Sequence, residues 1–179
     1  MVDVLAAPAR RHPASAVAVV TAAALLVLTG CARDVPTAPA PSASDPVCAQ
    51  VLQATPGVLG GADQRATTSQ ASRAWGDPAI TLRCGVEPLD PTTDRCITVT
   101  GVDGVSIDWV VAENDDVVGT GEDADTERGR FMFTTYGRTP AIEVIVPVEY
   151  AGTESTAILV DLGPAVARTA TTESRCIGL

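Results

Sequence analysis

The chain has 179 residues, 22 acidic and 12 basic side chains, a formal net charge of −10 and only 3% aromatic residues. Every basic residue is arginine, so there is no lysine for a Schiff base, a pyridoxal phosphate link or a phosphate-binding loop. The acidic balance repels polyanions, and no nucleic-acid partner is expected.

The first predicted element is a targeting segment. Arg10, Arg11 and His12 form a basic start, and the apolar run from Ala14 to Leu28 spans 15 residues. That is the size of a signal-peptide core and is shorter than the ~20 residues a helix needs to cross a bilayer. Leu28-Thr29-Gly30-Cys31 has the pattern of a bacterial lipobox. The small Thr29 and Gly30 suit a peptidase cleft, and the Cys31 thiol is the nucleophile that takes up diacylglycerol before cleavage. Residues 1–30 are therefore expected to be a lipoprotein signal peptide. Cys31 is the expected lipidation site, carrying palmitate-type chains. The expected location is the extracytoplasmic face of the cell membrane, where each buried methylene adds ~0.8 kcal/mol to the hold. Loss of Asp3, Arg10 and Arg11 leaves 149 residues with 21 acidic and 10 basic side chains, a net charge of −11. The one histidine, His12, goes with the segment, which removes Ser-His-Asp and Cys-His catalysis and His-rich zinc or haem sites.

Residues 31–45 follow as a Pro/Ala/Ser-rich tether with Pro36, Pro39 and Pro41. Its composition cannot bury a core, and at ~3 Å per residue it reaches roughly 40 Å as an extended chain. A single α+β domain is expected over 46–179. It opens with Asp45 as an N-cap and Pro46 at the first helical position. The helix carries Cys48, Val51 and Leu52 on one side, and Pro56-Gly57 ends it. Gly60 to Ser72 is polar and reads as a surface loop. The period then changes to two in "AITLRCGV", "CITVT", "SIDWVV", "FMFTTYG" and "AIEVIVPVEY". Five such strands with polar alternate faces predict a mainly antiparallel sheet covered on one side. Thr156 to Arg168 returns to helical spacing with Ile158, Leu159, Leu162 and Val166, and Gly163-Pro164 is expected to kink or split it.

With Cys31 spent on lipid, Cys48, Cys84, Cys96 and Cys176 remain, an even number in an exported chain with no C-x-x-C spacing. Two disulfides are expected, and three connectivities satisfy the count.

The stretches "CAQVL" at Cys48, "WGDPAITLRCGV" from Trp75, "VTGVDGVSIDW" ending at Trp109 and "FTTYGRTPAIEVIVP" from Phe133 together resemble the DUF3515 family of actinobacterial exported proteins and lipoproteins. The likeness runs from Cys48 to Val166. It implies no activity, because the family's function is unknown. It does imply a Cys48–Cys84 pairing, since the family's cysteines recur at those two positions, and this leaves Cys96 with Cys176. The acidic insert after Trp109 is longer than is typical of the family.

Three places are candidates for a site. Glu113 to Glu127 holds seven acids, and Asp123, Asp125 and Glu127 have the 1, 3, 5 spacing of a calcium loop. Positions six and twelve are Arg128 and Thr134 instead of Gly and Glu, so the run reads as a solvated hairpin loop and no metal ligand is assigned. Trp75, before the turn Gly76-Asp77-Pro78, reads as a core plug or as an aromatic platform. Tyr136 and Arg138 flank Gly137 in a turn, and Arg83 lies on the polar face of its strand, where a guanidinium fork can grip an anion. Trp75, Tyr136 and Arg138 are the candidate ligand contacts. No catalytic residue and no cofactor is expected. The reading is a non-catalytic lipoprotein of the cell envelope that binds a protein or a cell-wall fragment. The alternative is a hydrolase of envelope glycans working through a carboxylate pair.

Overall fold

A computed structural model describes residues 33–113, 129–150 and 155–177. The acidic run and Cys31 lie outside the described residues. Helix α1 spans Pro46–Ala54. The Asp45 carboxylate caps it by accepting from Val47 N–H at 2.8 Å, and Pro46 occupies a position whose N–H has no helical partner. Strands follow at Val58–Leu59 (β1), Ala62–Arg65 (β2), Ser72–Trp75 (β3), Ile80–Val86 (β4), Cys96–Thr100 (β5), Ser106–Glu113 (β6), Arg130–Tyr136 (β7), Arg138–Thr139 (β8) and Ala141–Pro147 (β9). Helix α2 spans Ser155–Val166 and β10 spans Ala170–Thr171. Among the described residues no helix is long and apolar enough to cross a membrane.

The main sheet is antiparallel throughout, in the order β1-β2-β3-β4-β9-β7-β6-β5, and β10 pairs with β8 in a small second sheet. The α+β class, two helices and antiparallel sheet agree with the sequence pattern, but the main sheet has eight strands where the pattern predicts five. The additional β1, β2 and β3 are two to four residues long, too short for apolar alternation to show. They put Ala62–Arg65 and Ser72 of the expected Gly60–Ser72 loop into ladder. The second correction concerns α2, which continues unbroken through Pro164 to Val166. Pro164 sits in the last turn, so only one interior N–H is lost and the buried Ile158, Leu159, Leu162, Ala165 and Val166 hold the helix on the core.

Alternation along the strands separates two faces. Ile80, Leu82, Cys84, Val99, Ile107, Trp109, Val111, Phe133, Ile142, Val144 and Val146 are buried in the core with both helices. At ~25 cal/mol per Å² this apolar burial is the main favourable term. Two disulfides, Cys48–Cys84 and Cys96–Cys176, have Cα separations of 5.5 and 5.6 Å, ordinary for the bond. The first ties α1 to β4; the second ties β5 to the C-terminal tail.

The outer, polar face is not bare. Ser72, Arg83, Glu143, Thr134, Val110 and Cys96 stand in register across it. Both ends of the described domain cross that face at the end of the sheet where β3 begins and β4 finishes, here the Ser72 end. From Val35 onward, residues that composition assigns to a free tether are seated on the domain. Val35 bridges Thr67 in parallel, its N–H donating to Ala66 O at 2.8 Å. Ser42 N–H donates to Gly85 O at 2.8 Å, and Val35, Ala40 and Ala43 are buried. Gly85 is at φ +93°, and a Cβ there would overlap the Ser42 carbonyl, so the close approach depends on glycine. Each Pro in this stretch costs one donor but leaves carbonyls and intervening N–H groups to pair, which composition alone does not reveal.

Candidate functional site

The cleft that combines exposure with a built wall lies on the outer face at the Ser72 end. It encloses about 630 Å³ and is lined by Pro91, Tyr136 and the tail from Glu173 to Ile177. Tyr136 is the last residue of β7 and stands opposite Asp108 of β6, so both point to the outer face. The tail leaves β10, and Thr172 N–H donates to Gly137 O at 2.9 Å. It passes over Gly137 at φ +67°, where a Cβ would overlap the Ser174 carbonyl. It then meets Asp108, whose Oδ2 accepts from Cys176 N–H at 2.8 Å while Oδ1 accepts from Thr98 Oγ1–H at 2.6 Å. The Cys96–Cys176 bond closes the crossing. Three anchors therefore hold the tail, and Ile177 beyond them is 90% exposed.

The candidate contacts separate in this setting. Tyr136 lines the cleft and is half-buried. Arg138 is buried; its Nη1 donates to Thr169 O at 3.2 Å and its Nη2 to Ser106 O at 3.5 Å. Burial lowers its pKa from the ordinary guanidinium value, and the Asp108 charge opposes that shift. The side chain braces β8 against α2's exit and β6, and only 8% of it is exposed. Trp75 is fully buried, with Nε1–H donating to Pro56 O at 2.9 Å, which is the core-plug reading of that residue. Its strand position is at the Ile80 end of β3, so the structure does not bring it to the cleft. Arg83 closes on the fold's own Glu143. Trp109 is core, as its alternation with Ile107 and Val111 indicates.

Sequence reasoning missed Asp108 and the tail. Asp108 interrupts the apolar alternation of "SIDWVV" on the side away from Ile107 and Trp109, directly opposite Thr98, and a Cys176 bonded to Cys96 two residues from Thr98 brings the tail over that pair. That juxtaposition was the available signal. The calcium-loop spacing of Asp123, Asp125 and Glu127 falls outside the described residues. Among the described residues no group of three His, Cys, Asp or Glu side chains is placed to hold a metal ion.

A family model described as a protein of unknown function, DUF3515, matches residues 13–174, most of the chain. The chain belongs to the DUF3515 family. The match runs through Val35 to Ala43 at one end and to Ser174 at the other, so this DUF3515 domain takes in the seated N-terminal segment and the sheet, and stops in the tail before Cys176. Neither among curated proteins nor among solved structures does any match this DUF3515 chain.

Proposed function

We propose that this DUF3515 protein is a lipoprotein, acylated on Cys31 and held on the outer side of the cell membrane, whose domain binds an envelope component at the Tyr136 cleft without catalysing a reaction. The observation that carries the reading is the sulfur inventory. Cys48, Cys84, Cys96 and Cys176 take one another as partners, an oxidised arrangement suited to an exported domain, and Cys31 is left over at the end of an apolar run that has the pattern of a lipobox. The cleft supports the binding half of the reading. Its walls are an aromatic ring, a proline and a tail held by a disulfide, a preformed concave surface that asks little ordering on binding. A peptide or glycan segment of the envelope fits that chemistry, with the Tyr136 ring as the contact plane.

The test has two parts. Mass analysis of the mature N-terminal peptide from membranes is expected to find Cys31 as the first residue, carrying diacylglycerol; a full-length chain starting at Met1 overturns the lipoprotein reading. Photo-crosslinking from a probe at Ile177, beside the cleft, is expected to capture an envelope component in intact cells, with the adduct lost in Tyr136→Ala. Turnover of peptidoglycan by the purified domain, abolished by exchange of one carboxylate, would replace binding with glycan hydrolysis.

A further inference from the structure

We propose that the domain sits directly on the bilayer in one orientation, with the Ser72 end of the sheet towards the lipid surface. The proposal rests on acylation of Cys31 and goes beyond it. An extended 31–45 segment would leave the domain free to tumble at a distance. The described chain instead seats Val35 on Thr67, and the attachment is repeated along the next eight residues. Thr37 N–H donates to Thr68 Oγ1 at 3.0 Å, and the Thr37 hydroxyl lies 2.9 Å from Ser69 Oγ and 3.2 Å from the buried Ser72 Oγ. Arg83 Nη1 donates to Ala38 O at 3.3 Å, and Ser42 N–H donates to Gly85 O. Only Ala32, Arg33 and Asp34 then separate Cys31 from Val35. At ~3.5 Å per residue the acylated sulfur is at most about 14 Å of chain from the sheet.

Topology selects the orientation. The Ser72 end gathers the Thr67–Ala71 connection, Val86, the β8 turn and the Gly101–Val105 turn, because β4, β9, β7, β6 and β5 alternate in direction from β3 across the sheet. Val102, at the tip of the last of these, is fully exposed. β6 ends at Glu113 and β7 begins at Arg130 at the opposite end of the sheet. The seven residues of β7 place the two ends ~20 Å apart. The short chain between Cys31 and the seated Val35 therefore favours the pose with the Ser72 end at the lipid surface.

The test uses the full-length acylated chain in vesicles of phosphatidylglycerol and phosphatidylethanolamine carrying a head-group quencher. A fluorophore is placed on an added cysteine at Gln70 or Val102 at the Ser72 end, or at Glu149 after β9 at the other. All three positions are exposed. Quenching is expected at Gln70 and Val102 at about twice or more the level at Glu149, given the ~20 Å between ends. A Gly-Ser spacer of ten or more residues inserted after Ala32 is expected to erase that contrast. Equal quenching at the three positions in the acylated chain, or stronger quenching at Glu149, overturns the orientation and leaves the anchor standing. Absence of the diacylglyceryl mass on Cys31 overturns both.

Discussion

Arg83 Nε and Nη2 each lie 2.8 Å from Glu143 Oε1, joining β4 to β9 at the middle of the outer face. The side chains retain only 26% and 11% of their exposure, and Arg83 also reaches Ala38 O, so one guanidinium links two strands and the N-terminal segment. An arginine that sequence marks as available for a ligand is thus committed to the fold.

Removing this carboxylate leaves a half-buried cation without its charge partner. Glu143→Gln is expected to lower the unfolding free energy by about 1–3 kcal/mol. Asp77→Asn breaks the Arg65–Asp77 pair, which is 3.9 Å long with an 89% exposed carboxylate, and is expected to change it by less than ~0.5 kcal/mol. Urea denaturation followed by tryptophan fluorescence checks both; equal effects contradict the structural role of Glu143.

Trp75 and Tyr136 carry similar rings in opposite settings. Trp75→Ala opens a cavity in the core and orphans Pro56 O, so a loss of about 3–5 kcal/mol is expected. Tyr136→Ala removes a half-buried ring at the cleft and is expected to cost under ~2 kcal/mol, since much of that ring already meets solvent. Thermal unfolding of the two variants measures the gap. A small loss for Trp75→Ala would count against its place in the core.

The N-terminal segment depends on Gly85. Gly85→Ala puts a methyl into the Ser42 carbonyl and is expected to release residues 40–43, seen as faster amide exchange at Ser42 and Asp45. Gly61 also has a positive φ, +76°, but nothing lies within 4 Å of its Cβ position, so Gly61→Ala is expected to cost only the ~1 kcal/mol of backbone strain. Unchanged exchange at Ser42 in Gly85→Ala would show that the segment is not seated there.

The two disulfides close loops of unequal length, with separations of 36 and 80 residues. Loop-closure entropy gives about 4 kcal/mol for each, with the longer one worth slightly more. Location distinguishes them more sharply. Arg175 is exposed already, but its backbone is held by the bond at Cys176; the double variant Cys96→Ser, Cys176→Ser is expected to free that backbone for cleavage by trypsin and to abolish the cleft. Cys48→Ser, Cys84→Ser destabilises the α1–β4 contact while leaving Arg175 resistant under native conditions. Limited proteolysis with mass analysis reads both outcomes.

The core was legible because its strands are seven or so residues long and alternate cleanly, as in Ile80, Leu82 and Cys84 or Ile142, Val144 and Val146. The helix start at Asp45-Pro46 was legible because its chemistry is local. The short strands β1 to β3 were not, since two to four residues carry no period and their pairing depends on β4. Nor was the seating of Val35 to Ala43, where a proline-rich composition suited to solvent is overridden by backbone partners on Thr67 and Gly85. In the cleft, Tyr136 was legible as a turn residue, while Asp108 needed the Cys96–Cys176 bond to acquire its partner.

The Cys96–Cys176 bond holds the tail where Cys176 N–H meets the Asp108 carboxylate. Reduction of that one bond yields two thiols and frees the backbone donor of a carboxylate on the outer face. Oxidation is thereby written into the folded state as a chemical difference that a thiol-reactive reagent can read.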